Sequence, residues 1–132
     1  MKKTNKELKK DYQQQDLQVG VYQIRNTING KIYIGGALNV QGIINSNRFQ
    51  LKMGSHKSKT LQEDWNRFGE VAFIFEVLDE IKLKEGDNKK PKEELDEQLK
   101  LWLDNLEPYG DKGYNDKIKS REELIKSISN NR

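Results

Sequence analysis

Apolar and polar residues alternate from Val19 to Asn26. Val19, Val21, Gln23 and Arg25 point one way, and Gly20, Tyr22, Ile24 and Asn26 the other. A period of two is the mark of a strand. Asn29-Gly30 follows, a hairpin signal because both residues tolerate positive φ. Lys31-Ile32-Tyr33-Ile34-Gly35 is predicted as the returning strand, with the β-branched Ile32 and Ile34 on one face. Val71 to Ile81 is apolar through its middle, which predicts a third strand in the centre of the sheet.

The helical periods lie between and after these strands. Lys59 to Phe68 carries Leu61, Trp65 and Phe68 at i, i+4 and i+7, closed by Gly69. Leu95, Leu99, Trp102 and Leu106 form a second stripe, which Pro108 ends. Residues 37–54 are less regular. Val40, Ile43 and Ile44 suggest one short helix, and Asn45-Ser46-Asn47 reads as a break before Phe49, Leu51 and Met53. Lys82 to Glu94 is dense in charge and is expected to be an exposed loop. The pattern divides the chain into a basic tail or short helix over 1–17, one domain over 18–116 and a C-terminal helix over 117–132. Ser120-Arg121-Glu122-Glu123 is the capping box of that last helix. The fold class is α/β (α+β), a small antiparallel sheet with helices packed on it.

The hairpin brings two tyrosines together. With a loop of Asn29-Gly30 alone, Asn26 lies opposite Tyr33. With a loop of Thr27 to Gly30, Ile24 lies opposite Tyr33. In both registers Tyr22 and Tyr33 project from the same face, because the side-chain period is two. Gly20, Gly35 and Gly36 flank them, and strand glycine often marks a close approach of backbone or ligand. Taken alone, the pair also fits ordinary core aromatics whose hydroxyls reach solvent.

Composition narrows the chemistry. The chain has 132 residues, enough for one domain, and no cysteine. That excludes a disulfide scaffold, a thiol nucleophile and a Cys-ligated metal. The lone histidine, His56, excludes a multi-histidine cage. No apolar run reaches the length of a membrane span, so a soluble, cytoplasmic protein with no membrane partner is expected. The net charge of +3 is divided unevenly. From Leu17 to Gln62 there is no Asp or Glu, while Arg25, Lys31, Arg48, Lys52, Lys57 and Lys59 all fall there. An acid-free basic block suits a phosphate backbone, because a nearby carboxylate would repel it.

Gly20-Val21-Tyr22 followed eleven residues later by Tyr33-Ile34-Gly35 resembles the signature of the GIY-YIG nuclease superfamily. The likeness continues through Gly54-Ser55-His56-Lys57-Ser58, the Leu61 to Gly69 helix end, Phe73 to Leu78, Leu101-Trp102-Leu103 and Gly113-Tyr114-Asn115. It implies a three-stranded antiparallel sheet flanked by helices and a metal-dependent DNA endonuclease acting on phosphodiesters. It implies catalytic roles for Tyr22, Tyr33 and His56, with one tyrosine positioning or helping deprotonate the attacking water. A phenol with an ordinary pKa of ~10 needs a nearby cation for that work. Arg25, Lys31, Lys52, Lys57, Lys59 and Asn115 would contact DNA. The implied cofactor is Mg2+ or Mn2+.

Two positions depart from the family. The phosphate-clamping Arg falls at Ile43, so Arg48 is the candidate, brought into the cleft if the helix restarts after Asn45-Ser46-Asn47. The metal-binding Glu falls at Leu99, which cannot ligate a hard cation. Asp96, one turn away on the same face, is the surrogate. These departures leave three readings: an endonuclease with a rearranged site, a nucleic-acid-binding module that no longer cuts, and a protein-interaction domain. Specificity is expected to be low or to come from a homodimer or a specificity-giving partner. The richness in Lys, Asn and Ile suggests a bacterial or phage genome.

Overall fold

In the computed structural model the described residues are 18–82 and 90–116. The expected N-terminal tail, the middle of the charged loop and the C-terminal helix lie outside them. Strands β1 (Gly20–Asn26), β2 (Ile32–Ala37) and β3 (Phe73–Glu80) form one antiparallel sheet in the order β2-β1-β3. Helices α1 (Val40–Met53), α2 (Lys59–Phe68) and α3 (Pro91–Leu106) pack on it. No helix among the described residues is long and apolar enough to cross a membrane.

The hairpin takes the longer of the two loops. Asn26 and Lys31 close a four-residue turn, and Ile24 faces Tyr33. Only Gly30 in the turn has a left-handed backbone, at φ 78°. Asn29 instead accepts a hydrogen bond from the Lys31 N–H, and Asn26 accepts one from the Ile28 N–H. Side chain-to-backbone bonds of this kind fix a turn without help from positive φ at Asn.

β1, and not β3, is the central strand. Six of its seven residues are buried, against one of eight in β3. The apolar run in β3 reflects an edge strand covered on both faces, with Phe73, Phe75 and Val77 in one cluster and Leu78 in the other. Val71 is not a strand residue at all; it sits in a short 3-10 turn and is 97% exposed.

Side-chain alternation sorts the sheet into two faces. Tyr22, Ile24, Tyr33, Phe73 and Phe75 face α1 and α2, meeting Val40, Ile44, Leu51, Leu61 and Trp65. Val21, Ile34 and Leu78 face α3, meeting Leu95, Leu99, Trp102 and Leu103. The α3 stripe therefore closes on Leu103, with Leu106 left 36% exposed. α3 takes in the last four residues of the expected loop. Pro91 occupies its first turn with Glu93 and Glu94, where a fixed φ and negative charge both favour a helix start.

α1 runs unbroken through Asn45-Ser46-Asn47. Polar residues break a helix when their side chains compete for backbone groups. Here Asn47 bonds back to the Ile43 carbonyl within the helix at 2.7 Å, and Ser46 accepts from Gln50 at 3.2 Å. The side chains support the helix rather than ending it.

Candidate active site

The site forms on the α1/α2 face of the sheet, where β1 and β2 present Tyr22 and Tyr33 with ring centres 6.4 Å apart. His56 stands edge-on to Tyr33, centres 5.5 Å apart. The loop between α1 and α2 places it there. Gln62 on α2 accepts the His56 backbone N–H and donates to the Leu51 carbonyl, so the loop is tied to both helices.

Between the tyrosine and the histidine lies Asn47, and its partners fix every proton. The Ile43 carbonyl can only accept, so the Asn47 atom facing it is the amide nitrogen. The same nitrogen donates to the Tyr22 hydroxyl oxygen at 3.1 Å. Asn47 Oδ1 then faces His56 Nε2 at 2.5 Å, so Nε2 must carry a proton. His56 Nδ1 accepts the Ser58 N–H at 3.0 Å and must be bare. His56 is therefore neutral in its Nε2–H tautomer with both ring nitrogens engaged. Burial lowers its pKa, and the Lys57 charge lowers it further.

The two phenols differ. Tyr22 is pushed up to about 12, mainly by burial and then by its neighbour Tyr33, while the Asn47 bond opposes the rise. Tyr33 is also raised, by burial and then by the Asp116 carboxylate. No group among the described residues hydrogen-bonds the Tyr33 hydroxyl.

Gly35 keeps this arrangement possible. A Cβ there would lie 2.6 Å from the Tyr22 hydroxyl. Next to it, a Cβ on Gly36 would point to the other face and meet Leu95 and Leu99 at 3.0–3.4 Å. The paired glycines are a thin part of the sheet, with Tyr22 over one side and α3 under the other.

Of the expected nucleic-acid contacts, some face the site and some do not. Arg25 lies on the α3 face and pairs with Glu76 at 3.2 Å. Lys52 pairs with Glu70 at 3.4 Å. Both acids come from outside the acid-free block, so the block is partly neutralised in space. Asn115 bonds both the N–H and the carbonyl of Ile34, at 2.8 and 2.7 Å, and so stitches the segment after α3 to the outer edge of β2. Its amide is structural here. Lys31 lies over the Tyr114 ring at 5.9 Å. Lys57 and Lys59 are exposed on the loop and first turn beside His56. Arg48 is not swung round by a helix restart. It follows Asn47 on continuous α1 and stacks on Phe75 at 4.5 Å. No carboxylate among the described residues pairs with it.

Sequence reading missed Asn47 as a site residue. The signal was present: Val40, Ile44, Asn47 and Leu51 follow a helical spacing of four, three and four, and all four are buried. A polar residue on such a stripe must find partners. A second polar cluster was missed too. Tyr114 donates to Asp64 at 2.7 Å and accepts from the fully buried Asn26 at 3.0 Å.

Comparisons with known proteins agree with this fold. No protein-family model matches the chain. Intron-associated endonuclease 1 of Enterobacteria phage T4 is 32% identical over 87 residues, which is 66% of this chain and 32% of that protein. The chain thus spans about a third of the curated relative's length. The solved catalytic domain of intron endonuclease I-TevI superposes with a TM-score of 0.62 at 29% identity, covering 76% of this chain and 99% of that one. A mutant form of the same domain gives 0.63 at 30% identity, covering 79% and 98%. The chain belongs to the GIY-YIG nuclease superfamily.

The two positions that the resemblance set at the family's Arg and Glu are apolar contacts in the structure. Ile43 packs against the core at the expected Arg position. Leu99 is part of the apolar α3 contact at the expected Glu position. Asp96 is exposed on α3, the helix that covers the face opposite the tyrosines. Among the described residues no three His, Asp or Glu side chains gather as a metal site. The residues present do not fit a protein-held cation.

Proposed function

We propose that this chain is a DNA endonuclease domain hydrolysing phosphodiester bonds at the face that carries Tyr22, Tyr33 and His56. The observation that carries the proposal is the Tyr33 hydroxyl, which has no hydrogen-bond partner among the described residues and lies beside the bonded Tyr22–Asn47–His56 chain. The endonuclease relatives support the same reading.

Protonation decides the roles. Both phenols are raised, so at neutral pH they are proton donors. A donor fixed before substrate arrives can hold a phosphate oxygen or the attacking water, and it strengthens as negative charge develops. The one bare nitrogen of His56, Nδ1, already accepts the Ser58 N–H, so the ring has no free nitrogen with which to take a proton. Tyr33 is accordingly assigned to positioning the water or a phosphate oxygen, and Tyr22 to a fixed hydrogen bond beneath it. Arg48 and Lys57 supply positive charge for the backbone. Dependence on Mg2+ or Mn2+ belongs to the proposal. Such an ion keeps several waters and binds substrate phosphates; Asp96 is exposed on the helix that covers the opposite face, so phosphate and water, not Asp96, would hold the ion at the tyrosines.

A second reading has its own observation. Leu99 in the apolar α3 contact favours a domain that binds DNA without cutting it. Incubation with supercoiled plasmid, with Mg2+, with Mn2+ and with chelator, separates the two. Metal-dependent nicking that disappears in Tyr33→Phe supports the endonuclease. Salt-sensitive binding without nicking supports the second reading.

A further inference from the structure

We infer that Asn47 is the positioning residue of this site, clamping His56 in one tautomer and aiming the Tyr22 hydroxyl. The inference deepens the endonuclease reading and rests on it for its catalytic consequence.

Every hydrogen-bonding atom of the Asn47 side chain is engaged. One amide proton goes to the Ile43 carbonyl at 2.7 Å, which fixes the plane of the amide against its own helix. The other goes to the Tyr22 oxygen at 3.1 Å. The carbonyl oxygen takes the His56 Nε2 proton. No buried side-chain polar atom among the described residues lacks a partner. The amide therefore has one orientation, because a flip would set its NH2 against a donor and its oxygen against the Ile43 carbonyl.

Two consequences follow for the chemistry. Since the Tyr22 oxygen accepts a proton from Asn47, its own O–H points away from Asn47. Tyr22 is thus left a donor on the face it shares with Tyr33, ring centres 6.4 Å apart. Since His56 gives its proton to Asn47 and its Nδ1 to Ser58, the imidazole is locked as a neutral buttress for Tyr33. Asn47 touches neither substrate nor reacting atom. It acts through Tyr22 and His56.

No shorter or differently shaped side chain does all three jobs. Asp can accept from His56 but cannot donate to Tyr22. Leu fills the volume and makes neither bond. Gln places the amide one methylene too far from Ile43.

The test joins a spectroscopic readout that needs no activity with a kinetic one. Proton–nitrogen NMR of the wild-type ring should show the Nε2–H tautomer with Nδ1 unprotonated at neutral pH. In Asn47→Asp the new carboxylate should raise the His56 pKa relative to wild type. In Asn47→Leu the single tautomer should give way to a mixture. On cleavable DNA, Asn47→Asp and Asn47→Leu should lower kcat about 10- to 100-fold with KM nearly unchanged, as expected when placement and not binding is lost. A wild-type ring protonated at Nδ1, or a His56 pKa unmoved in a folded Asn47→Asp, overturns the clamp whether or not the protein cuts DNA. Equal kcat in wild type and folded variants overturns the positioning role and leaves the endonuclease reading standing. If the wild type does not nick DNA, that reading fails, and the ring spectra still decide the clamp.

Discussion

The two faces of this sheet are built by opposite means. Toward α3, Val21, Ile34, Leu95 and Leu103 bury hydrocarbon against hydrocarbon. Toward α1 and α2, apolar packing continues under Ile24, Leu51, Leu61 and Trp65, and polar side chains are threaded through it. Asn47, His56, Gln62 and Asn26 are all buried there. An unbonded polar group in such a place costs about 1–3 kcal/mol, so the network is tolerated only because it is complete. Stability is the business of the α3 face, and chemistry that of the other. The adjacent glycines mark the division, with Gly35 clearing space for Tyr22 and Gly36 for two leucines.

The largest expected effect is on the apolar face. Leu95→Ala should destabilise the fold by about 2–5 kcal/mol, the range for truncating a buried leucine. Denaturant unfolding measures it, and the activity per folded molecule should stay near wild type. On the other face, Gly35→Ala should cost about 1–3 kcal/mol, because a methyl group 2.6 Å from the Tyr22 hydroxyl forces the ring to move. Its cleavage rate should fall about 100-fold, since a displacement of about 1 Å has that effect. Gly36→Ala meets only leucine side chains that can shift, and should cost less and leave cleavage near wild type. Equal effects from the two glycines would break the comparison.

Tyr114→Phe should cost about 1–3 kcal/mol by leaving the Asn26 amide and the Asp64 carboxylate short of a partner. The smallest effect is that of pH. His56 has a folded pKa below its ordinary value of 6.5. Between the two values the unfolded chain binds a proton that the folded chain does not. Stability should therefore rise with pH through that window and decline as pH falls below about 6.5, with a slope of at most about 1.4 kcal/mol per unit. In His56→Gln this slope should flatten in thermal melts taken from pH 5 to 8.

Much of this was legible along the chain. Strict alternation gave β1 and the shared face of Tyr22 and Tyr33. The spacing of Leu61, Trp65 and Phe68 with Gly69 gave α2 to the residue. The misreadings have physical causes. Asn45-Ser46-Asn47 looked like a break because composition does not show where a side chain will bond. β3 looked central because a strand roofed by helices is apolar even at an edge. The acid-free block looked unopposed because Glu76 and Glu70, which pair with Arg25 and Lys52, lie far along the chain. Asn47 carries neither charge nor ring, and only its place on the buried stripe of Val40, Ile44 and Leu51 marks it.

The central claim is that DNA meets the tyrosine face. Titration of the isotope-labelled protein with a short duplex, followed by backbone amide shifts, tests it most directly. The account predicts salt-sensitive shifts clustered at Tyr33, Arg48, His56 and Lys57, with Lys100, Leu101 and Asp104 on the outer side of α3 unmoved. Shifts centred on α3, with the tyrosine face unmoved, would contradict it.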